Sequence, residues 1–115
     1  MFDFRKLEVY KKAKLFHSVS DQVIKKNQFS KTTKDQLSRA SFSVVLNIAE
    51  GSGRFSKADR RNFFVIARCS IFECVAIFDI LLDQKEIDEK QFDEFYSMAE
   101  EMSRMLFAMI KNLSA

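Results

Sequence analysis

Residues 33–51 read Thr33-Lys-Asp-Gln36-Leu37-Ser-Arg39-Ala40-Ser-Phe-Ser43-Val44-Val45-Leu-Asn47-Ile48-Ala49-Glu50-Gly51. At about 100° per residue, Gln36, Arg39, Ser43, Asn47 and Glu50 fall on one narrow stripe. Leu37, Val44, Val45 and Ile48 fill the opposite side. A strand, with its period of two, would scatter both sets, so this stretch is an amphipathic helix. Thr33 to Gln36 has the T-x-x-Q form of a capping box, and Gly51 stands where a left-handed C-terminal residue belongs. The spacing predicts a helix over 33–50.

Both flanks continue the pattern. Gly51 to Phe55 makes a short loop, and Ser56 with Asp59 opens a third helix over 56–83. Upstream, Asp3 is placed to cap a first helix over 3–28, with Phe2 and Leu7 as a hydrophobic staple. Leu7, Tyr10, Ala13, Phe16, Ser20 and Val23 recur along it at helical spacing. Asp88 with Gln91 makes another capping box, flanked by Ile87 and Phe92 as a staple. It starts a fourth helix over 88–114, with Phe92, Phe95, Ala99, Met102, Leu106, Met109 and Leu113 as its inner stripe. Short links between long helices make neighbours antiparallel. The expected fold is all-α, an antiparallel up-down four-helix bundle spanning residues 1–115 as a single domain.

Composition agrees. The 115 residues include no proline and two glycines, so helix breakers are scarce, and 47% hydrophobic content with thirteen phenylalanines fills one core. Residues 63–82 are apolar around most of the helix circumference, which fits either a central position in the monomer or burial against a second copy. Arg68, Glu73 and Asp79 within that stretch argue against a membrane span. Met1 to Lys14 is charged throughout and has no apolar signal core. Cys69 and Cys74 lie five apart, which suits neither an intrahelical disulfide nor a CxxC metal site. A cytoplasmic protein is the expectation.

Charge is divided along the chain. Residues 1–61 carry 14 Lys/Arg and 6 Asp/Glu, whereas residues 62–115 carry 5 and 10. Lys11 and Lys12 on the first helix, and Arg54, Lys57, Arg60 and Arg61 around the glycine loop, are the candidate phosphate-binding residues. The second cluster is favoured because a helix N-terminus adds to its positive field. The alternative is that basic and acidic halves meet across a subunit contact. Gln36, Arg39, Ser43, Asn47 and Glu50 face the polar line Asp59, Asn62, Ser70 and Glu73 of the third helix. A pivot near Gly53 brings Asn47 level with Asp59 or Arg60 and Glu73 within reach of Gln36 or Arg39. The expectation is a buried or half-buried network that serves packing specificity, since a carboxylate in apolar surroundings needs partners.

The run Gln36-Leu37-x-Arg39-Ala40-x-x-Ser43-Val44-x-x-Asn47-Ile48-Ala49-Glu50-Gly51, with Gly53-Arg54-x-Ser56 after it, resembles the signature of the four-helix-bundle family encoded in intervening sequences of bacterial 23S ribosomal RNA genes. Phe4-Arg5-Lys6-Leu7-Glu8-Val9-Tyr10 and Ile66-Ala67-x-x-Ser70-x-x-Glu73 are similar to it too. The resemblance implies a four-helix bundle, commonly a homopentamer with a central channel. It also implies kinship with accessory proteins of diversity-generating retroelements, which bind nucleic acid.

Catalytic constellations are absent from the sequence. One histidine, His17, with no Glu-x-x-His motif does not build a di-iron site, and no other metal or cofactor is indicated. Cys69 and Cys74 sit in apolar helix where thiols are inert packing, and Gly51-Ser-Gly-Arg54 lacks the Lys-Ser/Thr of a phosphate-binding loop. No small-molecule substrate is evident. The expected function is a non-enzymatic homo-oligomer binding structured RNA or other nucleic acid through phosphates. The alternative is an oligomeric interaction scaffold.

Overall fold

In the computed structural model, which describes residues 1–114, four α-helices lie side by side: α1 (Glu8–Lys26), α2 (Lys31–Ser52), α3 (Lys57–Asp83) and α4 (Glu89–Asn112). They pack as α1–α2, α2–α3, α3–α4 and α4–α1, the cyclic adjacency of an antiparallel bundle. Its extents are 43 × 24 × 22 Å. At about 1.5 Å per residue, α3 by itself accounts for the long dimension.

Helix ends depart from the sequence reading in three places. Asp3 does not cap α1; it opens a 3-10 turn, Asp3–Lys6, and α1 starts at Glu8 with Leu7 in the cap position and no side-chain cap. Phe4 stacks edge-on against Tyr10 at 4.9 Å, and this contact folds the N-terminal turn onto the helix. Ser30, not Thr33, caps α2, its hydroxyl accepting from the Thr33 amide at 3.1 Å. Gly51 is the third departure. It lies inside α2, which runs to Ser52, and neither glycine has a positive φ.

Gly51 is instead a point of close approach, since a Cβ there would lie 2.9 Å from Phe63 Cβ on α3. The left-handed residue is Lys85, with φ 60°, in the α3–α4 turn. There the Glu86 amide bonds the Leu81 carbonyl at 2.9 Å and the Lys85 amide that of Leu82 at 3.0 Å, the paired bonds of a Schellman ending. The expected caps of α3 and α4 form. Ser56 accepts from Asp59 N, and Asp88 and Gln91 complete a reciprocal capping box.

Phenylalanines organise the centre. Phe78 of α3 stacks on Phe95 of α4 at 3.9 Å, and Phe16 of α1 meets both edge-on at 6.2 and 6.3 Å. Each is at most 2% exposed, and such burial contributes about 1.5–3 kcal/mol per ring. Leu37, Val44 and Ile48 close the α2 side. Ser20 and Ser41 are fully buried; Ser20 is satisfied by the Phe16 carbonyl, and Ser41 by the Ser38 carbonyl and the His17 ring, whose Nδ1 lies 2.8 Å away. No described helix is long and apolar enough to cross a membrane.

Candidate nucleic-acid interface

The link from α2 to α3 brings four basic side chains to one end of the bundle. Arg54 is anchored from both sides: its guanidinium lies 4.5 Å from the centre of the Phe63 ring and pairs with Glu50 at 3.0 Å. Arg60 reaches back to donate from Nε to the Arg54 carbonyl at 2.7 Å, which fixes the turn. Arg61 donates to Ser114 Oγ at 2.7 Å, tying the start of α3 to the end of α4. Lys57, at the first position of α3, is exposed and makes no ion pair among the described residues.

Positive potential at this end has two sources. The four cations of residues 54–61 outnumber the two acids at the turn, Asp59 and the Glu50 that pairs with Arg54, and the α3 N-terminus adds about half a positive charge. The turn also rims an open concavity of about 900 Å³, bordered by Phe2, Phe4, Gly53, Arg54, Arg60 and Leu113. Phe55 stands at the tip of the turn, 104% exposed. Phe55 belongs to no helical stripe, so periodicity does not mark it; the signal in the sequence is a phenylalanine between Arg54 and Lys57.

Lys11 and Lys12, on the opening turns of α1, form ion pairs of their own. Lys11 pairs with Glu8 at 3.5 Å and Lys12 with Glu101 of α4 at 2.8 Å. The hydrogen bond and charge of Glu101 raise the Lys12 pKa, so its ammonium is held by its own chain. Exposed pairs of this kind add little stability. They do reduce the charge left for an external phosphate.

The polar stripe of α2 divides in the structure. Ser43 Oγ and Ser70 Oγ meet at 2.9 Å between α2 and α3, and Asn47 donates to Ser43 Oγ at 2.9 Å and to its carbonyl at 2.8 Å. This half-buried knot lies farther along α3 than a pivot at Gly53 implies, because α2 continues to Ser52 and α3 begins only at Lys57. Contrary to expectation, the other members of the stripe and Glu73 are not buried. Gln36, Arg39, Glu50 and Glu73 are exposed, and Glu73 bonds neither Gln36 nor Arg39. Water solvates the Glu73 carboxylate, so nothing compels it to find a partner.

The outward face of α2 and α3 also carries apolar side chains, Leu46 of α2 with Ile66 and Ile80 of α3, each about half exposed, and Glu73, likewise exposed, lies midway between the two isoleucines. A second apolar surface lies between α3 and α4, where Arg68 covers Phe72 at 5.0 Å and Phe107 at 5.4 Å. Cys69 is exposed, against the expectation that both thiols are packed away, whereas Cys74 is buried. Burial, helped by Glu73, pushes the Cys74 thiol up to about 12. No cluster of His, Cys, Asp and Glu suited to a metal ion occurs among the described residues.

Comparison with known proteins bears on the same fold. A family model described as 23S rRNA-intervening sequence protein matches residues 5–108. No curated protein matches the chain. The crystal structure of a protein of unknown function from the S23 ribosomal protein family of Bacteroides thetaiotaomicron superposes with a TM-score of 0.84 at 23% identity. The match covers 90% of this chain and 98% of that one. At that identity the likeness speaks for the fold alone.

Proposed function

The chain belongs to the 23S rRNA-intervening sequence protein family, and from that premise we propose that it is a non-enzymatic, self-assembling bundle that binds structured RNA through phosphate contacts. The observation that carries the reading is the α2–α3 end, where Arg54, Lys57, Arg60 and Arg61 surround one turn and its helix N-terminus. Arg60 and Arg61 are each held by one Nε bond. That leaves terminal guanidinium nitrogens for phosphate oxygens, where charge-assisted bonds are strongest.

Self-assembly rests on the half-exposed apolar side chains Leu46, Ile66 and Ile80. These side chains, interspersed with the exposed Arg39 and Glu73, suit a contact between copies that joins apolar burial to charge pairing. A closed ring, five-membered as the family resemblance implies, would repeat the basic end around an axis and give RNA several contacts at once. The exposed, unpaired Cys69 thiol fits a reducing, cytoplasmic setting.

Gel-shift titration against a structured RNA at two salt concentrations tests the RNA reading. Affinity should fall steeply with salt, and neutralising Arg54, Arg60 and Arg61 together should lower the log–log salt slope by about 2–3, at about 0.7–0.9 per phosphate contact. Light scattering should give the same assembly mass for the triple variant. RNA left unbound at low salt, with an assembled protein, would leave the scaffold reading in its place. Ile66→Asp should reduce the assembly mass with helicity unchanged.

A further inference from the structure

We propose that Phe55 is a base-stacking residue, receiving one unpaired base of an RNA loop whose flanking phosphates lie on Arg54, Lys57, Arg60 and Arg61. The inference rests on the RNA reading above and adds a specificity to it, for RNA with unpaired bases over fully paired helix.

Phe55 is 104% exposed, an exposure matched among the large apolar side chains only by the terminal Met1. A ring so placed gains nothing from the core of its own chain. It is not on a loose segment either. On one side the Arg54 carbonyl is clamped by Arg60, and the Arg54 amide bonds Gly51; on the other, Ser56 caps α3 through Asp59 N. The ring therefore stands on backbone fixed at both neighbours, so little further ordering is needed on binding.

The surroundings select the partner. An apolar protein surface closing over Phe55 would have to desolvate the neighbouring cations without pairing them. Single-stranded nucleic acid satisfies both requirements in one ligand, since its bases have π faces and its linkages carry the anions. A paired helix does not, because its bases are stacked on one another and a phenyl ring at the surface meets only sugar and phosphate. The two elements thus divide the work. The arginines and Lys57 favour any RNA, and Phe55 discriminates among RNAs.

The chain has no tryptophan, so Phe55→Trp creates a single reporter at the site. An RNA hairpin with an unpaired loop and a blunt duplex of equal length are titrated into wild type, Phe55→Trp, Phe55→Ala and Phe55→Leu. Hairpin binding by Phe55→Trp should match wild type within about twofold and quench the indole emission. Phe55→Ala and Phe55→Leu should weaken hairpin binding about tenfold, within the range of one base–aromatic stack, and leave duplex binding unchanged. Unchanged hairpin affinity in Phe55→Ala, an unquenched indole at saturation, or equal losses on both RNAs would overturn the inference while the phosphate reading stands. A lower assembly mass for Phe55→Ala would assign the ring to a subunit contact and overturn it too. Failure of wild type to bind either RNA defeats the phosphate reading itself, and the role of Phe55 with it.

Discussion

Gly51 of α2 lies so close to Phe64 of α3 that an added Cβ would come within 2.9 Å of the Phe64 ring, as well as 2.9 Å from Phe63 Cβ. Phe64 is 4% exposed and has little room to move. Two effects oppose each other in Gly51→Ala. Overpacking costs about 1–3 kcal/mol, and the better helix propensity of alanine returns at most about 1 kcal/mol, less in a last turn. The variant should unfold about 1–2 kcal/mol more easily in urea. Gly53→Ala, whose Cβ meets only the Glu50 carbonyl at 3.6 Å, should be neutral or gain up to about 1 kcal/mol.

Lys85 holds the left-handed position of the α3–α4 turn at φ 60°. That conformation costs a residue bearing Cβ about 1–2 kcal/mol, whereas glycine occupies it freely. Glycine also loosens the unfolded chain by about 0.4–1 kcal/mol. Lys85→Gly should therefore raise stability by a net of about 0.5–1 kcal/mol, read from the urea midpoint at an unchanged slope.

The Ser43–Ser70 pair and the Asn47 amide form one unit. Ser70→Ala removes one partner and should cost about 1 kcal/mol; Ser43→Ala, which also takes an acceptor from Asn47, should cost somewhat more. A double-mutant cycle on the two serines should return a coupling of about 0.5–1 kcal/mol. Strict additivity would mean that the 2.9 Å contact stabilises nothing.

Cys69 and Cys74 should react very differently. A thiol reagent at pH 8 should label Cys69 in the native protein and reach Cys74 only on unfolding. Burial raises the Cys74 pKa from 9.0 to about 12, so the folded state keeps a proton that the unfolded chain releases earlier. Its stabilising contribution is complete below about pH 9 and is lost as pH rises toward about 12, at up to about 1.4 kcal/mol per pH unit. Relative to Cys74→Ala, wild type should lose stability across pH 9–11.

Much of this molecule is written in short-range patterns. Ser56 with Asp59 and Asp88 with Gln91 mark helix starts because a cap needs only a hydroxyl or carboxylate three residues from an amide. The stripe of Phe95, Ala99, Met102 and Leu106 is buried as its spacing requires. Thr33 failed as a cap because Ser30 satisfied the same rule one turn earlier, and propensity does not choose between two valid caps. Gly51 is ambiguous in the sequence because glycine serves either a left-handed turn or a close approach, and only the neighbouring helix tells which.

The sequence by itself determined the four helices, their antiparallel order and the basic character of residues 54–61, since periodicity, link length and charge are local properties. Tertiary structure decided the rest. It set the register that joins Ser43 to Ser70, left Glu73 in water, tied Lys12 to Glu101 and Arg61 to Ser114, and exposed Phe55 on a clamped turn. Each of these depends on how far one helix slides or rotates against another. Side-chain packing over the whole bundle fixes that, and no spacing within a single helix encodes it.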